Sequence, residues 1–298
     1  MSVVQIAVII LQLSIVLVVF SLGLEASFSD AASLFHRPSL LFRSLFSMNV
    51  VMPAFAVLMA VTLQLNPAVE AALILLAVSP LPPVLPRQQL KMGGSSRYVE
   101  GLFVATAVIS VVLVPVTIEL LGRVFAQDIH IGPAAVAKIM ATTILAPLAA
   151  GMLVRYLAPE LARKASPPLS KLSLVLLFGS AAVPLTTLLP GMAEMLGNGT
   201  LLALVVFVMA GTAIGHALGG PDPADRSTLA LATASRHPGM AMAIAGANYP
   251  AQRKSIAAVI LLYFIVKAVV LLPYNAWCKR RLIAHRAQGV IVPRERAA

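Results

Sequence analysis

Residues 3 to 24, VVQIAVIILQLSIVLVVFSLGL, carry no charge, and stretches of the same kind recur to the far end of the chain. The hydrocarbon core of a bilayer is ~30 Å thick and a helix rises ~1.5 Å per residue, so about 20 apolar residues cross it. In lipid every backbone N–H and C=O must be satisfied within the protein, which leaves only helices and closed barrels. These runs are continuously apolar rather than alternating, so barrel strands are excluded. The sequence predicts an all-α polytopic membrane protein with nine transmembrane helices, over 3–24, 39–64, 68–90, 99–121, 134–156, 170–189, 200–218, 227–248 and 256–277.

Composition agrees. The chain is 59% hydrophobic and 11% charged, against about 25% charged residues in a soluble domain, and its mean hydropathy is +0.93. No polar stretch is long enough for a soluble domain, so residues 1–277 form one membrane domain and 278–298 a basic tail, solvated, without ordered structure and close to anionic lipid. The first run lacks a basic leader and a small-residue cleavage pattern, so it is expected to be a retained span rather than a signal peptide. Cys278 stands alone, which excludes an intramolecular disulfide.

The net charge of +11 marks topology rather than a nucleic-acid partner. With the N-terminus outside, the inner connections and helix ends hold Arg37, Arg43, Arg87, Lys91, Arg97, Arg155, Arg163, Lys164, Lys171 and Arg226, and the tail adds six more cations. The outer ones hold only Arg123, Lys138, Arg253 and Lys254. By the positive-inside rule the N-terminus is outside and the C-terminus cytoplasmic, in a cell inner membrane.

Two spans are interrupted. In the third, SPLPPVLPRQQLK places Pro80, Pro82, Pro83 and Pro86 in the apolar run, with Arg87 and Lys91 just beyond. In the eighth, ASRHPGM places Arg236, His237, Pro238 and Gly239 among small apolar residues. Proline removes a donor and clashes with the preceding turn, and the freed backbone groups survive at depth only where protein or water meets them. Five spans separate the two, so they run in opposite directions. That is the pattern of inverted repeats, about 1–122 and 133–277, with a transport site where the broken helices meet.

The residues also resemble a known family. LGLEASFSDAASLFHRPSLLFRSLFSMNVVMPAFAVLM resembles the early helices of the bile acid:sodium symporter family, ALILLAVSPLPPVLPRQQLKMGG its first crossover helix and ASRHPGMAMAIAGANYP its second. The resemblance spans roughly residues 5 to 277 and implies a panel domain and a core domain, with two broken helices crossing in the core. It implies sodium held by Ser and Asn oxygens on the first crossover, hydroxyls on the next helix, and Glu and Gln on the second. This chain departs there, with Leu85 and Pro86 in place of Ser-Asn, and about Ala232 and Arg236 in place of Glu and Gln. A hard cation wants several oxygen ligands, preferably including a carboxylate, so the sodium sites are not carried over.

Candidate substrate-binding or ion-substituting residues are Arg236, His237, Lys267, Asn49, Arg87 and Lys91. A guanidinium at a helix break either fills a vacated cation site against exposed carbonyls, binds an anionic substrate, or anchors the backbone. His237 titrates near neutral pH when unperturbed and is otherwise a hydrogen-bonded structural residue. Lys267, midway through span nine, is too deep to snorkel with ease and is expected to face a cavity. Arg87 and Lys91 either reach the cavity or mark the cytoplasmic end of span three. Asn49 links helices or faces substrate, Glu100 and Glu119 are expected near helix ends, and His216 is interfacial.

No metal site, cofactor or catalytic constellation is legible, and Walker, H-E-x-x-H and G-x-S-x-G patterns are absent. The expected function is a secondary transporter or facilitator of a small organic anion in a lipid bilayer. The alternatives are a sodium-coupled symporter using oxygens such as those of Ser79, Thr106 and Ser235, a non-transporting membrane sensor or assembly subunit, and an intramembrane enzyme using His237.

Overall fold

The computed structural model describes residues 3–125 and 131–287, all helix, turn and connection with no strand among them. The helices are α1 (Val3–Gly23), α2 (Phe28–Ala32), α3 (Pro38–Phe46), α4 (Met52–Thr62), α5 (Pro67–Val78), α6 (Leu85–Lys91), α7 (Ser96–Val124), α8 (Pro133–Met140), α9 (Ala146–Leu157), α10 (Pro159–Glu194), α11 (Thr200–Leu218), α12 (Pro223–Ala234), α13 (Pro238–Asn248) and α14 (Arg253–Ala287). Among the described residues seven helices are long and apolar enough to cross a membrane, two of them, Pro38–Thr62 and Pro133–Leu157, being α3 with α4 and α8 with α9 taken as continuous. Over 68–90 and 227–248 the chain instead forms the pairs α5/α6 and α12/α13, each divided by extended backbone.

Wide turns join α3 to α4 at Ser47–Val51 and α8 to α9 at Ala141–Leu145, both of π type. Each is followed at the second residue by a proline, Pro53 or Pro147. The ring would collide with the carbonyl one turn back, and a π turn relieves this without ending the helix.

Glycines let backbones touch where lipid gives helices no hydrophobic reason to associate. α1 packs against α9 and α10, and a Cβ on Gly151 would lie 2.3 Å from the Phe20 carbonyl oxygen. α11 packs on α12, where a Cβ on Gly215 would lie 2.4 Å from the Leu229 carbonyl oxygen. α14 touches α5, α10, α11 and α13.

Two expectations change. The sixth span, expected from 170, belongs to a helix that begins at Pro159 and runs through Pro167 and Pro168. The tail was expected to lack order from Lys279, but α14 continues to Ala287. Lys and Arg are good helix formers, so Lys279, Arg280 and Arg281 continue the helix rather than end it. The rest of the basic tail, 288–298, lies outside the described residues.

Candidate functional site

The first break begins at Ser79, whose backbone is extended (φ −68°, ψ 141°) and whose hydroxyl turns back to the Leu75 carbonyl at 2.6 Å. Pro80, Leu81, Pro82 and Pro83 follow, all buried. Pro86 is not in the break but in the first turn of α6, where a missing N–H costs no helical bond. The second break begins at Ser235, also extended (φ −112°, ψ 132°). His237 caps α13, its ring Nδ1 accepting the Met240 N–H at 3.3 Å. Pro238 and Gly239 fall in the first turn of α13 rather than in the break.

The breaks meet. α5 touches α13 and α6 touches α12, so the two broken chains run in opposite directions. The His237 backbone N–H donates to the Pro80 carbonyl at 2.9 Å. Arg236 Nη1 reaches the Ser79 carbonyl at 3.4 Å, a long hydrogen bond. A second tie joins α6 to α12, Gln89 Nε2 donating to the Thr228 carbonyl at 2.8 Å. Tyr263 of α14 holds the carbonyl that ends α12, its hydroxyl donating to Ala234 O at 2.6 Å. Ser47, in the first π turn, shares a 3.0 Å hydrogen bond with Thr233.

What remains unpaired at the crossover is mostly donor. Arg236 is 0% exposed, and its Nε and Nη2 have no partner among the described residues. His237 Nε2 and Ser235 Oγ are likewise buried and unpaired. With Nδ1 acting as acceptor, a neutral His237 ring carries its proton on Nε2, so that atom too is a donor. All of them lie at the N-terminus of α13, where the helix dipole is positive. Gly239 at the same end is exposed, whereas Ser235, Arg236 and His237 are themselves buried. The unpaired groups are thus a guanidinium, a ring N–H and a hydroxyl beside a positive helix end, with no carboxylate bonded to Arg236 among the described residues.

The remaining candidates are placed separately. Lys267 is 8% exposed, one turn beyond Tyr263, with Nζ 4.7 Å from the centre of the Phe264 ring and 6.0 Å from that of Tyr263. It has no salt-bridge partner among the described residues. Arg87 is half-buried and turns away from the break to donate to Ser21 Oγ on α1, leaving Nε unpaired. Lys91 is exposed at the end of α6. Asn49 donates to the Leu45 carbonyl of its own turn at 3.1 Å. Glu119 pairs with Arg123 on the surface, whereas Glu100 is buried with Oε2 unpaired.

Tyr263, Gln89, Ser47 and Ser21 were not singled out from the sequence. One signal for Tyr263 existed, its spacing four residues before Lys267 on one helix, which puts both on one face. For Gln89 and Ser21 there was none, because their partners are remote in the chain.

A family model described as the Sodium Bile acid symporter family matches residues 12–189, more than half of the chain. The match includes α5 and α6 and ends before α11, so the second break lies outside it. No curated protein matches the chain.

Proposed function

This chain belongs to the Sodium Bile acid symporter family, and on that premise we propose that it carries a small organic anion by alternating access, without the family's sodium sites. It is a multi-pass membrane transporter of that type rather than an enzyme. The observation that carries the finer reading is Arg236, wholly buried at the crossover with two guanidinium nitrogens unpaired. A buried cation without an acceptor is costly by several kcal/mol, of order 3–5 when a pair is broken. A substrate carboxylate supplies that acceptor in the bidentate geometry a guanidinium favours.

In this reading α5/α6 and α12/α13, with α11 and α14, make up a core, while α1, α9 and α10 make up a panel against which it moves. Arg87 then bridges core to panel through Ser21 on the cytoplasmic side, and Arg236 is exposed to substrate only when the crossover shifts. Counting each broken pair as one crossing gives nine spans in two inverted repeats, N-terminus outside and C-terminus inside, in the inner membrane. Sodium is disfavoured because an ion liganded at Ser79 would lie against the Arg236 guanidinium. A locked, non-transporting scaffold is disfavoured because neither Arg236 nor Lys267 has a carboxylate partner among the described residues.

Uptake of a panel of small carboxylates into proteoliposomes, with sodium or with choline outside, tests this. Equal uptake in the two salts, lost in Arg236→Ala and reduced in Lys267→Ala, is expected. A sodium requirement would overturn the coupling, and uptake indifferent to both substitutions would overturn the site.

A further inference from the structure

Away from the crossover, α11 and α14 enclose a groove of about 520 Å³ that the transport reading does not use. Its upper walls are Met209 and Ala213 of α11 and Val270 of α14, and Met209 is 57% exposed, so this part opens toward lipid. Its lower end is closed by His216, Tyr274 and Trp277. His216 Nδ1 and the Tyr274 hydroxyl share a 2.9 Å hydrogen bond, and the three rings meet edge-on or tilted, with centroids 5.6 to 5.9 Å apart. Thr212 also lines the groove, its hydroxyl donating to the Val208 carbonyl of its own helix at 2.8 Å, so the wall changes along its length from mainly apolar to aromatic and polar.

Cations gather at that end. The Arg281 guanidinium lies 4.2 Å from the centre of the Trp277 ring, and the Arg226 backbone lies against Gly219, just past the end of α11, its Nε donating to the Gly220 carbonyl. Lys279 and Arg280 are exposed on the following turn of α14. The acids of this edge are engaged elsewhere, since Asp222 caps α12 and Asp225 faces Arg37 at 3.8 Å. α11 ends at Leu218 within a turn of His216, so aromatic rings and cations coincide with the rim of the membrane, where amphipathic rings and basic side chains meet headgroups.

We infer that the groove between α11 and α14 is a binding site for one anionic phospholipid, with an acyl chain along Met209, Ala213 and Val270 and the phosphate beneath Arg281 and Arg226. The gradation from apolar wall to aromatic ring to guanidinium matches the gradation along such a lipid. A zwitterionic lipid shares the chain but brings its own cation to the same place.

Native mass spectrometry and thermal unfolding of the detergent-solubilised chain, titrated with phosphatidylglycerol, phosphatidylcholine or glycerol phosphate, provide the test. Phosphatidylglycerol is expected to bind in preference to phosphatidylcholine and to raise the melting temperature, while glycerol phosphate does neither. Arg281→Gln should weaken phosphatidylglycerol binding about five-fold, the size expected for one basic side chain at an anionic surface. Arg123→Gln, which removes an exposed cation paired with Glu119, should leave it unchanged. Equal binding of the two lipids, equal losses in the two variants, or the same stabilisation by glycerol phosphate would each overturn the assignment.

Discussion

The first broken helix is opened by Pro80, Pro82 and Pro83, and the second by Ser235, Arg236 and His237 ahead of a single proline. Three prolines remove three N–H groups, so the first break is rich in carbonyls and poor in donors. The second break supplies donors, the His237 N–H to the Pro80 carbonyl and the Arg236 guanidinium to that of Ser79. A carbonyl-rich break would suit a metal cation, and here a fixed side-chain cation faces it instead. The family match follows the same divide, covering the first break and stopping short of the second. The acceptor half of the crossover thus falls within the matched stretch, and the half that sets its charge falls outside it.

That asymmetry can be broken from either side. Removing the donor should have the largest effect, with Arg236→Ala lowering uptake by about two to three orders of magnitude, the cost of breaking a buried charged pair. Arg236→Lys keeps the charge but not the fork, and should restore uptake only in part, to within roughly ten- to a hundred-fold of the native rate. If lysine restores full uptake, charge alone matters and the bidentate contact is wrong.

Tyr263→Phe should come next. It leaves the buried Ala234 carbonyl without its partner, a loss of about 1–3 kcal/mol, read as a lower melting temperature with uptake reduced by less than Arg236→Ala. A variant as stable as the native chain would show that α14 does not hold the second break. The smallest effect is expected from the first break, because Pro82→Ala with Pro83→Ala restores N–H groups while leaving the carbonyls of Ser79 and Pro80 in place. Proline-to-alanine changes at compatible backbone cost about 1 kcal/mol, so uptake should stay within roughly five-fold. A loss as large as that of Arg236→Ala would make the two breaks equivalent and remove the asymmetry.

Much of this was legible in the chain. Apolar length predicted the helices, and prolines or charges inside apolar runs marked where two of them break. The errors lay at boundaries, since Pro86, Pro238 and Gly239 stand in the first turns of α6 and α13, positions that tolerate proline because those N–H groups have no helical acceptor. For Arg87 the sequence allows either the cavity or the end of span three, and its side chain leaves the break for Ser21. Glu100, expected near a helix end, is buried there.

By itself the sequence determined that the chain is helical and membrane-embedded, where its backbone opens, and that Arg236 accompanies one opening. Those properties follow from local chemistry: hydropathy over ~20 residues and the missing N–H of proline. Only the tertiary structure decided that Arg236 faces Ser79, 157 residues away, that Tyr263 ties off α12, and that Arg87 does not join them. Hydrogen bonds between distant segments depend on which helices pack together and at what rotation, and in lipid those are set by close glycine contacts and buried polar pairs rather than by hydropathy.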